Sequence, residues 1–491
     1  MNDTKNDSLT PIQFRKTKIV ATLGPASNSL EMLRGLIRAG VNVFRLNFSH
    51  GNHEMHTTAI STIRQASREL KAPVAVLQDL SGPKIRISKV DGESAALLDG
   101  ASVELKSASD GALSESNIIY VETLNPAQIL KPKESVLLND GSISLKAVEI
   151  GADRVICSVI KGGKIRSRVG IAFPDSTINL PATTDKDMID LEWGIQHKVD
   201  FVALSFVQNA SDIVRVREVI KSRGQDIRII SKIERKSAIN QLEEILDASD
   251  GIMVARGDLG LELPIEKVPR IQKTLIEASN ARGIPVIVAT QMLHSMITNV
   301  RPTRAEVSDV ATAVMSGADA VMLSEETTIG EHPILCVEYL HKIAIEAEQT
   351  FDFDSYKLRL RRSDQYKVPD AVAYAACAAA IKVDGEAIIA CTTTGTTARL
   401  LAKYRPQQPL FGISQSIETL QRMSLYWGVM PIFIDCKDQS NAEVHTEESA
   451  AAISKLNQLG YVSSGSRVII TGGALANKPG STSILEIRQV P

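Results

Sequence analysis

Aromatic residues make up only 4% of this 491-residue chain, and that scarcity argues against base-stacking platforms for nucleic acid. An excess of one charge is also missing. The chain has 55 Lys and Arg against 57 Asp and Glu, for a net charge of −2, so it gives no support to a nucleic-acid or polybasic membrane partner. No apolar run approaches the roughly 20 residues that a membrane-spanning helix needs. The segment MNDTKNDSLTPIQFRK has no apolar core and does not read as a signal peptide. Five cysteines (Cys157, Cys336, Cys377, Cys391, Cys436) are scattered without CxxC or CxH spacing, mostly in apolar or Ala-rich company. Buried thiols in a reducing cytoplasm are the expectation. Heptads, low-complexity tracts and short repeats are absent too. What remains is ordinary globular material, 44% hydrophobic and 23% charged, long enough for about two to four domains.

A rhythm runs through most of that material. Eight apolar, β-rich runs (17–23, 41–48, 73–79, 199–206, 227–234, 251–256, 284–291 and 318–324) alternate with helical stretches. Near-continuous hydrophobic strands separated by helices predict a parallel sheet covered on both faces, and eight is the number that closes a (β/α)8 TIM barrel. The segment 29–40 should be a helix stopped by Gly40, and 187–198 carries helical apolar spacing.

One interval breaks the rhythm. About 120 residues separate Asp79 from Phe201, and within them 89–183 turns to short strands with Gly, Asp and Ser turns. LNDGSIS contains an Asp140–Gly141 hairpin signal. The interval reads as a small inserted β domain, on the side of the barrel where active sites form, and so as either a lid or a decorative insertion. After residue 350 the polar stretch SYKLRLRRSDQYK leads to a separate α/β unit with a helix at 370–382 and strands at 386–392, 409–414, 430–435 and 467–472. The expected layout is an N-terminal segment 1–16, a barrel over 17–88 and 184–350, the β insertion over 89–183, and a C-terminal α/β domain over 351–491.

Chemistry is most legible at Lys232, Glu234 and Asp258. On a strand, residues i and i+2 share a face, so Lys232 and Glu234 project together. Asp258 ends the next run, GIMVARGD. If the two runs are parallel neighbours, one cation and two carboxylates meet at the mouth of the sheet. That set suits a hard divalent metal and the transfer of a charged phosphoryl group, whereas any one residue alone reads as an ordinary loop charge. Arg45, Asn47 and Ser49 alternate along the second run, although the last two also suit a turn. DLSGPKIRI (79–87) leaves the third run through Gly82-Pro83 and returns Lys84 and Arg86 on one face, either to meet phosphate oxygens or to form a solvated edge. Thr290 and Gln291 end the seventh run and could orient water. Arg301, Arg304 and Glu306 precede an amphipathic helix, and SEETTIG after the eighth run could seat an anion on backbone N–H groups. In the last domain CTTTGTTARLL (391–401) opens a helix after a strand, as a phosphate cradle or a plain cap. It lacks a Walker lysine.

The blocks TKIVATLGPAS, VFRLNFSHG, QDLSGPKIR, SKIE, MVARGDLGLELP, VATQML and RPTRAEVSDVATAVMSGADAVMLS together resemble the pyruvate kinase family, over roughly residues 15–491. The resemblance implies a (β/α)8 domain, a mobile β lid, a C-terminal effector domain and a homotetramer. It implies transfer of phosphate from phosphoenolpyruvate to ADP, giving pyruvate and ATP, with Mg2+ or Mn2+ held by Glu234 and Asp258. Lys232 would neutralise the moving phosphoryl, with Arg45 and Arg86 on phosphate oxygens. The backbone amides of Gly257 and Asp258 would bind the substrate carboxylate, Ser324 would join the substrate site, and Thr290 would sit where the enolate is protonated. Pro25, His50 and Asp140 would lie on the nucleotide side.

Departures from the family pattern carry further expectations. Many members have Glu in GPEIR and need K+ near the equivalents of Asn47, Ser49, Asp79 and Leu80. Lys84 here resembles the K+-independent, bacterial branch, in which an ammonium supplies that charge. The lid hinge VGIAFPD carries Ala172 and Asp175 where Asn and Gly are usual, Asn139 replaces a frequent Asp, His294 replaces Glu and Glu325 replaces Gly. TGGALANKPGSTSI (471–484) lacks the Trp and Arg that grip the second phosphate of a bisphosphate effector, so Thr392, Thr393, Thr394, Gly395, Thr396 and Thr397 suit a monophosphorylated sugar or AMP. The competing functions are another metal-dependent phosphoenolpyruvate barrel, such as a lyase or dikinase, and a silent effector-binding protein.

Overall fold

Eight short parallel strands close into a barrel in the computed structural model, which describes residues 14–176, 178, 180–354, 356, 367–435, 444–473 and 482–491. In chain order the strands are Lys18–Thr22, Val43–Asn47, Ala75–Asp79, Phe201–Leu204, Arg228–Ile233, Gly251–Ala255, Val286–Ala289 and Ala320–Leu323, and the first pairs with the eighth to close the ring. Each lies inside one of the eight runs read from the sequence. The fifth and sixth strands are parallel neighbours with Lys232 opposite Met253, the pairing that the Lys232–Glu234–Asp258 reading required.

Side-chain alternation divides the barrel into two cores. Ile19, Phe44, Val76, Val202, Ile229, Ile252, Val288 and Val321 face the helical layer. Val20, Val43, Leu77, Phe201, Ile230, Met253, Ile287 and Met322 face the interior. The interior is therefore a packed apolar plug, as the period-2 pleat of a buried parallel strand requires. Further along six of the strands the same inward register reaches polar residues: Thr22, Arg45, Asp79, Ser205, Lys232 and Ser324. The change from plug to polar layer falls at the strand C-termini.

Helices return the chain between strands, with stops written in the sequence. Helix Leu30–Ala39 begins at a Ser29 cap and ends at Gly40, whose φ of 114° is a left-handed conformation that a side chain would strain. Helix Asp185–Gln196 begins with a Thr184–Asp187 capping box, and helix Arg304–Met315 with a Thr303–Glu306 one.

The insertion is all β apart from two single turns of helix. Its main sheet runs in the order Ile171–Ala172, Ser135–Leu138, Ile143–Ile150, Arg154–Lys161, Ser102–Ser107, Ile118–Val121 around its own core, with Val103, Leu105, Val136 and Val155 fully buried. The Asn139–Ser142 hairpin turn has positive φ at Asn139, Asp140 and Gly141, as the sequence signal predicts. The C-terminal sheet runs Val429–Phe433, Leu410–Ser414, Ala387–Cys391, Arg467–Gly473, Thr482–Gln489. Its last strand is antiparallel and was not anticipated. This unit packs on the barrel floor: Ala376, Ile388 and Leu401 share one core with the inward-facing barrel residues. Arg405, fully buried, reaches Asp319 at 2.7 Å across that junction. The cysteines at 157, 336, 377 and 391 are buried, whereas Cys436, most of the 355–367 stretch and the tract 474–481 lie outside the described residues.

Candidate active site

Lys232 sits at the upper rim of the fifth strand, in the inward register next above the plug residue Ile230. Its ammonium lies 2.7 Å from Ser205 Oγ, 3.0 Å from Glu234 Oε1 and 3.2 Å from Asp79 Oδ1. Burial alone would push its pKa down, but Asp79 and Glu234 outweigh that and hold it above the ordinary lysine value. Asp79 is equally enclosed. Burial would raise its pKa, yet Lys232 and Arg45 pull it below the usual carboxylate range. Arg45 Nε donates to Asp79 Oδ2 at 2.6 Å and its Nη1 to Thr22 Oγ1 at 3.1 Å. Arg45, Asp79 and Lys232 thus form one chain of charge across three strands.

Glu234 follows Ile233 at the strand end and is 1% exposed. Its Oε2 accepts the Phe206 N–H at 2.7 Å. Burial raises its pKa, Lys232 opposes that, and the negative charge of Asp258 adds to it. Asp258 does not prolong a strand, as its run implied. It lies in the first turn of the helix Arg256–Glu262, which begins as the sixth strand ends. Two hard-oxygen side chains, one buried and destabilised by the other, are a fit for a divalent cation. Among the described residues no group of three or more metal-ligating side chains occurs. A divalent cation held here by Glu234 and Asp258 would therefore need further oxygen ligands from bound molecules or water.

Thr290 and Gln291 leave the seventh strand with φ of 72° and 53°, a strained turn for non-glycine residues. The strain has a visible cause. Arg256 donates to the Thr290 carbonyl at 2.6 Å and to the Ala289 carbonyl at 3.2 Å, while Asp309 holds the same guanidinium at 2.6 Å. Thr290 Oγ1 donates to Ala289 O at 2.6 Å and accepts the Gly257 N–H at 2.9 Å. Glu326, 1% exposed, ties the neighbouring loops by accepting from Leu293 N at 3.0 Å and Ser324 N at 2.7 Å. Thr328 O accepts from Ala26 N at 2.9 Å and Thr327 Oγ1 donates to Thr22 O at 2.8 Å, which draws the Pro25 loop into the same assembly.

Over the other side lies the insertion. A cleft between it and the barrel mouth is lined by Lys84, Asp140, Ala172, Glu234, Arg235 and Asp258, among others. The tip of the hairpin is close enough that a Cβ on Gly141 would meet Leu261 at 3.1 Å. Lys84 Nζ lies 3.4 Å from Asp258 Oδ1, while Arg86 donates to the Arg168 carbonyl at 3.0 Å. The two cations that shared one face in the sequence thus diverge. Arg235 reaches Ile178 O at 3.2 Å and stands over the Phe206 ring, and Gln208 reaches Leu180 O at 2.6 Å, so barrel loops hold the returning hinge. Asp175 accepts from Ser135 N at 2.8 Å within the lid.

The remaining candidates separate. Pro25, Ser49 and His50 are exposed on loops after the first two strands; Ser49 N donates to Asn47 Oδ1 at 3.2 Å. His294 and Glu325, two departures read from the sequence, face each other at 3.6 Å on the surface. In the C-terminal loop Thr392 Oγ1 accepts from Gly395 N at 2.9 Å and Thr397 bonds Thr482 at 2.7 Å, both buried, while Thr394 and Thr396 pair at 3.0 Å nearer the surface. Ser205, Arg235, Arg256, Asp309 and Glu326 were missed as contributors to the mouth. Arg256 had a signal, since it directly precedes Gly257 and Asp258; Glu326 had none, because a buried surface-type carboxylate is visible only after folding.

A mouth carrying charged residues of both signs on an eight-stranded parallel barrel, roofed by an inserted sheet, defines the TIM-barrel class of enzyme. Residues 14–337 match the family model described as pyruvate kinase, barrel domain, and 370–488 match pyruvate kinase, alpha/beta domain. The chain is 41% identical over 97% of its length to pyruvate kinase 2 of Synechocystis sp., covering 79% of that protein. It is 38% identical to pyruvate kinase of Geobacillus stearothermophilus, covering 97% and 80%, and 37% identical to that of Clostridium acetobutylicum, covering 97% and 100%. The chain belongs to the pyruvate kinase family, a family of phosphotransferases.

Proposed function

We propose that the protein transfers the phosphoryl group of phosphoenolpyruvate to ADP, releasing pyruvate and ATP in the last step of glycolysis, with a divalent cation and without K+. The observation that supports this most is Lys232, held charged between Asp79 and Glu234 with Asp258 beyond the end of the neighbouring strand. Phosphoryl transfer asks the protein for positioning and charge stabilisation rather than for a covalent partner. Bound at Glu234 and Asp258, Mg2+ or Mn2+ supplies charge neutralisation for substrate carboxylate and phosphoryl oxygens. Lys232 and Arg45 would present fixed cations to the phosphoryl from the interior side. The Gly257 N–H, now donated to Thr290, is available to the substrate carboxylate, which frees the Thr290 hydroxyl to orient the water that protonates the enolate.

The K+-independent reading is supported by the surroundings of Asp79. The only carboxylate among Asn47, Ser49, Asp79 and Leu80 already has Arg45 and Lys232 on its two oxygens, and Lys84 adds a further ammonium at the mouth. In this reading 17–88 with 184–350 form the barrel, 89–183 the lid and 351–491 the effector domain, with Ile85 and Ile87 already packing in the core of the insertion, and Pro25, His50, Arg86 and Asp140 would serve the nucleotide. An effector phosphate at Thr393, Thr394 and Thr396, a homotetramer and a cytoplasmic location belong to the same reading.

A coupled assay for pyruvate with phosphoenolpyruvate, ADP and Mg2+ in K+-free buffer tests it. ADP-dependent pyruvate should form, and added K+ should change kcat/KM by less than about tenfold, or about 1.4 kcal/mol. No ADP-dependent pyruvate would sink the whole reading, and a larger K+ effect the monovalent part alone.

A further inference from the structure

Each of the two candidate metal carboxylates is already matched with a lysine, and the two pairs are built differently. Lys232 and Glu234 are 11% and 1% exposed, and Lys232 keeps Ser205 and Asp79 as further partners. Lys84 and Asp258 are 35% and 27% exposed, and Asp258 is the one hydrogen-bond partner of the Lys84 ammonium among the described residues. Lys84 comes from the opposite side of the mouth, on the segment that leads from the third strand into the insertion. A lysine with one partner, on a flexible stem and partly in water, is free to leave it.

We propose that Lys84 is a built-in counter-ion that competes with the divalent cation for Asp258, so that metal loads weakly on the free protein and tightly once the phosphate-bearing substrate offers Lys84 another anion. This rests on the assignment of Glu234 and Asp258 as metal ligands. Without a ligand the mouth holds Lys84, Lys232, Glu234 and Asp258, two positive and two negative charges, so an arriving dication meets no net negative charge from these four. It must also share Asp258 with an ammonium, and two cations close to one oxygen repel. A phosphate dianion gives Lys84 a more highly charged partner and leaves Asp258 to the metal. Linkage makes the effect reciprocal: substrate strengthens metal binding by the factor by which metal strengthens substrate binding. Arg86 is the internal control. It lies two residues further on, but its guanidinium bonds the Arg168 carbonyl rather than a carboxylate.

The test is Mn2+ binding to the full chain, followed by the electron paramagnetic resonance signal of free Mn2+, with and without phosphoenolpyruvate and without ADP. In the unaltered protein the substrate should tighten Mn2+ binding at least tenfold. Lys84→Gln should tighten Mn2+ binding by the substrate-free protein about fivefold, the size of a partly exposed ion pair, and reduce the effect of the substrate to about twofold. Arg86→Gln should leave substrate-free Mn2+ affinity within about twofold. If Lys84→Gln leaves or weakens that affinity, or if Arg86→Gln raises it as much, the competition proposal is overturned. Glu234→Gln separates the underlying assignment: if it binds Mn2+ as the unaltered protein does, with and without substrate, the ligand assignment itself fails. Circular dichroism on each variant establishes that the fold is retained.

Discussion

Two buried lysines lie in the inward register of the same barrel and have opposite fates. Lys232, on the upper rim, is flanked by Asp79 and Glu234, which hold its pKa above the ordinary value against burial. Lys18, at the foot of the first strand, is 4% exposed and donates to the Val429 carbonyl at 2.7 Å. Burial first, and Arg15 second, push its pKa down to about 7, and Glu348 opposes them only in part. Burial is common to both; a direct ion pair with two carboxylates belongs to Lys232. Lys232 is kept charged by two close carboxylates, whereas Lys18, which ties the barrel floor to the unit beneath it, is left with a pKa of about 7.

The comparison breaks most sharply at Lys232. Lys232→Met should lower kcat by about 10²–10³-fold with the fold retained, because it removes a preorganised cation from the mouth. A variant keeping more than a tenth of the turnover would end the claim that this ammonium serves the chemistry. Asp79→Asn should cost less, about tenfold in kcat/KM, since Lys232 keeps Glu234 while Arg45 loses its charged anchor. Steady-state kinetics reads both.

Lys18 should hardly touch turnover, and its effect appears in stability against pH. Its folded pKa lies below its unfolded value, so between about pH 7 and 10.5 the unfolded chain holds a proton that the folded chain has lost. Stability from this group therefore rises with pH across that window, and its penalty is fully present below pH 7. Lys18→Met removes the penalty. Its apparent Tm should exceed that of the unaltered protein most near pH 6.5 and by a shrinking margin toward pH 9.5, in thermal melts followed by circular dichroism. A margin constant with pH would show that Lys18 stays charged.

All eight barrel strands were legible because each is buried on both faces and reads as an unbroken apolar run. The lid was legible by its change of period. Strand Thr482–Gln489 was not, since Glu486, Arg488 and exposed Ile487 alternate on a sheet edge with little apolar signal. At the site, strand periodicity alone brought Lys232 and Glu234 together. It misjudged the setting of Asp258, because a strand that passes directly into a helix leaves no turn residue to mark the change. Lys84 was visible as a cation near the mouth, but the choice of Asp258 as its partner depends on how the insertion leaves the barrel. Arg235, Arg256 and Glu326 act through backbone carbonyls, amides and loop crossings, and such contacts have no sequence period.

Glu326 has a mechanical consequence. By joining the loops after the seventh and eighth strands, with Thr327 and Thr328 adding the loop after the first, it makes a third of the rim a single stiff piece. The sector carrying Lys84 and Arg235 instead borders the insertion. The mouth works like a vice with one fixed jaw: the Thr290 side is the anvil, and whatever compliance accompanies entry and exit of ligands belongs to the opposite sector.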